Sequence, residues 1–266
     1  MSAYHAKKRL GQNFLRTNSI IERVVSLIAP ESTDTIVEIG AGRGALTLPL
    51  AKSGADILAV EFDRDLIDYL TSLLAEYPNA KIINEDFLSF DPDTAQLDRF
   101  KLVGNLPYNI TSPVIDWCLR FASRIDSATL MVQKELGARL TASPGGRDWS
   151  PLSIFTQLVF EVEPCFDVAP SHFRPQPKVS SAVIRLIPRP EPIGRFSAEF
   201  EQIVRASFRQ RRKLLINNLV PRLVDRPEQL MDLYAELGLD RRVRAEGLTI
   251  EQFLTLTRAL IERKLV

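Results

Sequence analysis

The fold is decided by the stretch Val37-Glu38-Ile39-Gly40-Ala41-Gly42-Arg43-Gly44. The apolar run over 35–39 predicts a strand, and the apolar spacing that follows predicts a helix over 44–53. The glycines between them let the chain turn sharply and bring a ligand close to the main chain and to the helix N-terminus. Their spacing, G-x-G-x-G, departs from the dinucleotide fingerprint G-x-G-x-x-G. The turn therefore indicates either a nucleotide site or only a tight connection.

On both sides of this turn, short apolar runs alternate with helical patterns. Strands that alternate with helices form βαβ units, so the predicted fold class is α/β, a Rossmann-like sheet of seven mainly parallel strands. Strands are predicted at 35–39, 57–61, 81–84, 102–104, 128–132, 162–168 and 181–187, and helices at 17–29, 44–53, 63–76, 113–122, 134–142 and 151–160.

A proline-rich segment, Pro188-Arg189-Pro190-Glu191-Pro192, interrupts this alternation. Three prolines in five residues cannot extend a helix or the interior of a sheet, so the segment is predicted to be a linker. The domains are predicted as 1–188, the catalytic domain, and 189–266, a small helical domain. Helices are expected at 196–208, 212–219, 228–237 and 250–263, the last opened by a capping box at Thr249-Ile250-Glu251-Gln252.

Composition excludes several classes of protein. No apolar run approaches the roughly 20 residues that span a bilayer, and no apolar signal segment follows the N-terminus, so a cytoplasmic protein without membrane association is expected. Two cysteines, Cys118 and Cys165, form no disulfide framework or zinc spacing. With only His5 and His172 as imidazoles, no metal is expected.

Positive charge is concentrated at the two ends of the chain. Residues 189–266 contain 15 Lys/Arg and 11 Asp/Glu, whereas residues 1–188 contain 19 and 22. The first 23 residues carry five cations and one acidic residue, Glu22. This distribution is typical of a protein that contacts a polyanion at both ends, although a solvated surface of mixed charge explains it equally well.

Two acidic residues follow predicted strands near the glycine turn. Glu61, about 20 residues beyond the glycines, is placed to accept both ribose hydroxyls of a nucleoside. Asp86 follows the third strand, at the same edge of the sheet, and can accept a hydrogen bond from an adenine amine or simply cap the next helix. Because no phosphate loop is present, S-adenosylmethionine fits this pattern better than NAD or ATP.

The fourth predicted strand is followed by Asn105-Leu106-Pro107-Tyr108. The exocyclic nitrogen of adenine is a poor nucleophile because its lone pair is delocalised into the ring. The Asn105 side-chain oxygen and the Leu106 carbonyl can both accept hydrogen bonds from this amine, while Pro107 makes the loop rigid and Tyr108 offers a ring for an extruded base. The segment therefore predicts amino-group methylation of a base, with an ordinary strand-to-helix turn as the alternative.

These segments, taken together, resemble the rRNA adenine dimethyltransferases, specifically the KsgA (RsmA) group, which acts on 16S rRNA of the small ribosomal subunit. The resemblance spans nearly the whole chain and rests on several motifs in the same order. They are the segment Lys8 to Leu15, the glycine turn, Asn105 to Ile110, Gln133-Lys134-Glu135, Phe173 to Val179, Gln210 to Lys213 and Asn217-Asn218-Leu219.

The resemblance implies a class I methyltransferase that uses S-adenosylmethionine to dimethylate two adjacent adenosines near the 3′ end of 16S rRNA, in the subunit or its precursor. It implies a cofactor site formed by Asn13, Leu15, Gly40, Gly42, Glu61, Asp86 and Asn105, and a catalytic site formed by Asn105, Leu106, Pro107, Tyr108 and Phe173, with Phe173 sandwiching the adenine against Tyr108. It also implies RNA contacts by Lys7, Lys8, Arg9, Arg209, Arg211, Arg212 and Lys213. A monomer is expected.

Some positions depart from the family pattern and leave the geometry of nearby loops open. Gln176 replaces a proline, Ser180 replaces an aspartate, and Trp149-Ser150 replaces a tyrosine and glycine. Two other functions also stay open: dimethylation of large-subunit rRNA, as in the antibiotic-resistance methylases, and ribosome binding without catalysis. An arginine of the segment Gln210 to Lys213 is also open to a structural role, in which it ties the two domains together.

Overall fold

The computed structural model describes residues 6–7, 10–194, 196–220, 223–224 and 227–265. The chain divides into two compact units. The first unit comprises Met1–Gly137 and Glu161–Pro188, and the second comprises Ala138–Phe160 and Arg189–Val266. The division after residue 188 coincides with the proline-rich segment. The grouping of Ala138–Phe160 with the C-terminal helices was not predicted, since a helix that follows a strand gives no local sign of which core it joins.

Nine strands and ten helices occur among the described residues. The strands are β1 (Phe14–Leu15), β2 (Thr35–Ile39), β3 (Asp56–Val60), β4 (Ala80–Ile83), β5 (Phe100–Asn105), β6 (Ile125–Gln133), β7 (Phe160–Val168), β8 (Phe173–Arg174) and β9 (Ser181–Pro188). The helices are α1 (Asn18–Ile28), α2 (Thr47–Lys52), α3 (Ile67–Leu73), α4 (Thr111–Arg120), α5 (Lys134–Leu140), α6 (Pro151–Val159), α7 (Ala198–Ser207), α8 (Leu215–Leu219), α9 (Pro227–Glu236) and α10 (Ile250–Glu262).

A seven-stranded sheet forms the first unit, in the order β4-β3-β2-β5-β6-β9-β7. Strands β4, β3, β2, β5 and β6 are mutually parallel, and β9 pairs antiparallel with β6. Apolar side chains on both faces are buried, as in Ile36, Ile57 and Val103, which is typical of a sheet covered by helices on both sides. The predicted α/β class with seven mainly parallel strands is confirmed.

The strand order reverses between β2 and β5. The chain passes from β2 outward to β3 and β4, then crosses back to place β5 on the other side of β2. In open parallel sheets, such a switch point leaves a crevice at the carboxyl ends of the two strands. Gly40 follows β2 and Asn105 ends β5, so both predicted motifs lie at this crevice.

A second, two-stranded sheet was not predicted. Strand β1 pairs antiparallel with β8, with Phe14 opposite Arg174 and Leu15 opposite Phe173. Strands of two residues are too short to show a periodic pattern in the sequence, and the pairing joins segments far apart in the chain. This β1–β8 ribbon fixes the N-terminal segment to the first unit.

The second unit is helical around a buried tryptophan. Trp149 lies just before α6 and donates from Nε1 to the Leu248 carbonyl at 3.0 Å. The capping box of α10 is confirmed, with Gln252 N donating to Thr249 Oγ1 and Thr249 N donating to Gln252 Oε1. The helix predicted from Arg212 begins instead at Leu215, because residues 209–213 form turns.

Candidate active site

A cavity in the first unit occupies the crevice at the switch point. Its walls come from the N-terminal segment and from the loops that follow β2, β3, β4 and β5. It is lined by residues 10–14, 39, 40, 42, 60–62, 85–87 and 105–110. The structure therefore brings together nine of the predicted site residues: Asn13, Gly40, Gly42, Glu61, Asp86, Asn105, Leu106, Pro107 and Tyr108.

The glycine turn forms the floor of this cavity. Gly40 and Gly42 have φ values of +68° and +58°, which side chains rarely tolerate. A Cβ built on Gly40 would meet nothing within 4 Å, so open space lies above this residue, whereas one on Gly42 would come within 3.2 Å of the Phe14 ring. The backbone is thus exposed to a ligand at Gly40 and closely packed at Gly42.

Glu61 is held in place by two backbone N–H donors. Gly42 N donates to Oε2 and Asp63 N donates to Oε1, each at 2.7 Å. Burial raises the pKa of the Glu61 carboxyl, and these N–H donors oppose that effect. Because each carboxylate oxygen has a second lone pair, Glu61 can still accept hydrogen bonds from a ligand in the cavity.

Asp86 caps the next turn and also lines the cavity, while its contact with an adenine amine stays a prediction. Its Oδ1 accepts from Leu88 N at 3.0 Å and caps the short 3₁₀ turn Phe87–Ser89, while the residue also lines the cavity. The aromatic residues beside the two acids were missed by sequence reasoning. Phe87 follows Asp86 and Phe62 follows Glu61, and Phe62 is 54% exposed although it lines the cavity. A large apolar residue directly after a strand-end acid is the signal that could have identified both.

The orientation of the Asn105 amide follows from its partner. Asn105 Nδ2 donates to the Asn13 carbonyl at 2.8 Å, and since a carbonyl only accepts, the NH₂ end must face it. Oδ1 is therefore the free acceptor of this side chain. Leu106 N donates to the Met131 carbonyl at 3.0 Å, which anchors the loop, while no described residue donates to the Leu106 carbonyl.

The Tyr108 side chain is held by a hydrogen bond, whereas Phe173 lies outside the cavity, in the hydrophobic core. The Tyr108 hydroxyl and Ser181 Oγ form a hydrogen bond of 2.9 Å. Phe173 is 5% exposed, packs in the hydrophobic core of the first unit and lines a different cavity. Leu15, opposite Phe173 in the ribbon, is likewise a core residue outside the lining. The sandwich of adenine between Tyr108 and Phe173 and the cofactor contact of Leu15 stay predictions.

Asp63 holds the segment that precedes β1, part of which lines the cavity. Gln12 Nε2 donates to Asp63 Oδ2 at 3.0 Å, and Lys7 Nζ pairs with Asp63 and Asp65 at 2.5 and 2.6 Å. Lys7 was predicted to contact RNA, and its charge is balanced here by two carboxylates. Lys8 and Arg9 lie outside the described residues. This network was not predicted, since it joins residues about fifty positions apart.

The predicted basic cluster lies on the second unit, in the turn between α7 and α8. Arg209, Arg211, Arg212 and Lys213 are all exposed. One guanidinium nitrogen of Arg211 donates to the carbonyls of Arg147 and Trp149, at 2.5 and 3.1 Å. Arg211 therefore has a structural contact within its own unit and presents the rest of its guanidinium to solvent.

Neither a metal centre nor a membrane helix is found in the part of the chain that the structure describes. No group of three or more His, Cys, Asp and Glu side chains there could hold a metal ion. No helix within the same residues is long and apolar enough to cross a membrane. The lining of the candidate site consists of carboxylates, amides, backbone groups, aromatic rings and aliphatic side chains.

Behind the glycine turn, Glu38 is a buried acid outside the cavity lining. Burial raises its pKa to about 8, with a smaller contribution from the neighbouring Glu61, and Oε2 has no hydrogen-bond partner among the described residues. The folded state thus keeps the Glu38 proton up to about pH 8, whereas the unfolded chain loses it near pH 4.5. Since folding then takes up a proton, the free energy of unfolding falls as pH rises through this window.

Replacing Glu38 with Gln is expected to remove this part of the pH dependence. The difference in free energy of unfolding, Glu38→Gln minus the parent chain, should rise between pH 5 and 8 by a few kcal/mol and then level off. Urea unfolding at several pH values measures it, and the subtraction cancels the titration of all other groups. A difference that does not change with pH would contradict a protonated Glu38.

Comparison with known proteins agrees with the geometry of this site. The family model described as ribosomal RNA adenine dimethylase matches residues 3–262. A protein of Bacillus mycoides named ribosomal RNA small subunit methyltransferase A is 42% identical, covering 97% of this chain and 92% of its own length. A protein of the same name from Saccharophagus degradans is 41% identical, covering 98% and 96%.

Solved structures resemble this chain over almost its entire length. A dimethyladenosine transferase from Plasmodium falciparum has a TM-score of 0.84 at 24% identity, covering 94% of this chain and 98% of its own, which shows the shared fold. The 23S rRNA methyltransferase ErmE has a TM-score of 0.74 at 30% identity, covering 94% and 100%. The match of the family model over nearly all 266 residues, together with these relatives, means that the chain belongs to the ribosomal RNA adenine dimethylases.

Proposed function

We propose that this chain transfers methyl groups from S-adenosylmethionine to the exocyclic amine of adenosines in small-subunit rRNA. Two methyl groups would be added to each of two adjacent adenosines near the 3′ end of 16S rRNA, as the family resemblance implies. The observation that carries the proposal is the orientation of Asn105, whose amide nitrogen is held by the Asn13 carbonyl and whose Oδ1 is left as an acceptor. Asn105 and Leu106 both line the cavity.

The cavity fits a nucleoside with an uncharged or cationic tail. Among the residues that the structure describes, the lining contains no Lys or Arg, whereas it contains Glu61, Glu85 and Asp86. A phosphate-bearing nucleotide such as NAD or ATP would meet these carboxylates, which repel its negative charge. S-adenosylmethionine carries no phosphate, and it would supply an electrophilic methyl group on a positively charged sulfur.

The binding roles follow from the position of each side chain. Glu61 would accept the ribose hydroxyls with the lone pairs left free by its two backbone donors. Asp86 would accept from the adenine amine of the cofactor, and Phe62 and Phe87 would provide apolar walls for its ring. Gly40 would allow the ligand to approach the main chain directly.

The side chains would catalyse the reaction mainly by positioning the target amine for attack on the methyl group. Asn105 Oδ1 and the Leu106 carbonyl would accept hydrogen bonds from the target amine, so that its lone pair leaves the ring and points towards the methyl group. Tyr108, fixed by Ser181, would stack against the extruded base. The amine releases one proton to water for each methyl group that it gains. Phe173 would have to leave its core position to cover the second face of the base.

The second unit would bind rRNA through its exposed cations. Arg209, Arg212 and Lys213 are exposed beside Arg211, whose structural contacts occupy only part of its guanidinium. Structured RNA is recognised largely through phosphates and shape, which suits such a cluster. The structural contact of Arg211 makes it the least suitable of the four for a test of RNA binding by substitution.

The proposal is tested by incubating the chain and radiolabelled S-adenosylmethionine with undermethylated small subunits, large-subunit precursors or free rRNA. Label is expected on small-subunit RNA with the parent chain, and Asn105→Ala should incorporate it about 10²–10³ times more slowly. Label confined to large-subunit RNA would favour the activity named for ErmE instead. Tight binding to small subunits without any label would favour an assembly factor.

A further inference from the structure

A second concavity lies beside the β1–β8 ribbon in the first unit. It is lined by Arg16, Thr17, Ser171 and residues 173–176. Two of these residues, Arg16 and Arg174, are arginines and none is acidic. The exposed surface of this concavity is therefore polar and positively charged, in contrast with the acidic cavity at the switch point.

Neither arginine side chain has its charge balanced by an acidic side chain among the described residues. Arg16 and Arg174 form no side-chain hydrogen bond or ion pair with any residue that the structure describes. Other cations of the same unit are paired, as Lys101 is with Asp34 and Lys134 is with Asp167. Two unpaired guanidinium groups at one concavity suit an anion, and a phosphate above all, because its oxygens accept paired hydrogen bonds from each.

The rim of the concavity is held rigidly. Arg16 N donates to the His172 carbonyl at 3.0 Å, and His172 Nδ1 is 2.9 Å from Thr17 Oγ1. Arg174 is held by its pairing with Phe14 in the ribbon. The positions of both arginines are therefore determined by backbone pairing.

The β1–β8 ribbon also limits the distance between Arg16 and the loop that contains Asn105. The Asn13 carbonyl holds Asn105, and Arg16 follows three residues later along an extended segment, about 10 Å away along the chain. Successive phosphates of a nucleic acid strand lie closer together than that. A phosphate within one or two nucleotides of a base at Asn105 can thus reach Arg16.

We propose that Arg16 and Arg174 bind a backbone phosphate of the RNA strand next to the target adenosine. This inference rests on the proposed function, since the phosphate belongs to the same substrate. The contact would fix the position of the strand on the first unit, independently of the basic cluster on the second unit, and so determine which nucleotide can reach Asn105.

The double variant Arg16→Gln/Arg174→Gln tests this site. Its affinity for a short single-stranded RNA with two adjacent adenosines would be measured by fluorescence anisotropy at several salt concentrations. The dissociation constant is expected to rise about tenfold, and the slope of its logarithm against the logarithm of salt concentration to fall by about 0.7. Affinity for S-adenosylmethionine and the melting temperature should match those of the parent chain.

The matched control is Lys52→Gln/Lys81→Gln, which removes the same charge from exposed positions on α2 and β4. It should change the RNA dissociation constant less than twofold. A second measurement replaces single phosphates of the RNA with neutral methylphosphonates. One replacement within two nucleotides of the adenosines should weaken binding by the parent chain but not by the arginine variant.

Three results would overturn the inference. The concavity holds no phosphate if the arginine variant binds RNA like the parent chain, or if every methylphosphonate affects the variant and the parent chain equally. In either case the methyl-transfer assay still decides the proposed function separately. If the parent chain does not bind the short RNA at all, this inference fails, whereas methyl transfer to small subunits still decides the proposed function.

Discussion

Asn105→Ala is expected to lower kcat for methyl transfer by about 10²–10³, the cost typical of removing one preorganised electrostatic contact from an active site. The amide oxygen would be one of two acceptors that polarise the target amine, and alanine leaves only the Leu106 carbonyl. The same substitution removes the hydrogen bond to the Asn13 carbonyl, so some loss of cofactor affinity is also expected. Single-turnover kinetics with saturating S-adenosylmethionine separate the two effects.

The matched control for this variant is Asn84→Ala. Asn84 follows strand β4, at the edge of the sheet, and its Nδ2 donates to the carbonyls of Glu61 and Phe62, at 2.8 and 3.3 Å. It therefore supports the cofactor loop without lining the cavity, and its loss should lower kcat less than tenfold. An Asn105→Ala chain that keeps kcat within tenfold of the parent would show that the amide oxygen does not activate the amine.

Trp117→Ala is expected to lower the free energy of unfolding by about 3–5 kcal/mol, as for other buried tryptophans. Trp117, on α4, is buried at the centre of an aromatic cluster and donates from Nε1 to the Phe90 carbonyl at 2.9 Å. Its ring packs against Phe87 and Phe121 at centroid distances of 4.6 and 4.7 Å. Because Phe87 forms a wall of the cavity, S-adenosylmethionine should also bind more weakly.

Trp149→Ala provides the comparison in the second unit. Trp149 is as deeply buried and donates to the Leu248 carbonyl, but no residue of its unit lines the cavity among those described. Urea unfolding should give a similar loss of stability, while calorimetry on the folded variant should give unchanged cofactor affinity. A loss below 1 kcal/mol for Trp117→Ala would contradict the role of its cluster.

Much of the fold could be predicted because its signals are local. The strand at 35–39 is observed with those bounds, and the other sheet strands lie within a few residues of prediction. The β1–β8 ribbon and the membership of residues 138–160 in the second unit depend on contacts between distant segments. The turn at 209–213 was predicted as partly helical because its apolar neighbours continue a spacing of three and four.

The site residues likewise divide into those predicted from local sequence patterns and those that depend on contacts between distant segments. Gly40, Glu61 and Asn105 could be placed together because each follows a parallel strand, and the carboxyl ends of such strands meet at one edge. The orientation of the Asn105 amide could not be predicted from the sequence. The same is true of the Lys7–Asp63–Gln12 network, since both depend on contacts between residues that are far apart in the chain. The burial of Phe173 likewise depends on its pairing with Leu15 across the ribbon.

The modified nucleosides of the RNA show directly whether the chain dimethylates adenosines of 16S rRNA. Undermethylated small subunits would be incubated with the chain and S-adenosylmethionine, and their 16S rRNA digested and analysed by mass spectrometry. N6,N6-dimethyladenosine is expected at two adjacent positions near the 3′ end, and Asn105→Ala should form it about 10²–10³ times more slowly. Recovery of unmodified adenosine at both positions, with the same preparation binding S-adenosylmethionine, would contradict this expectation.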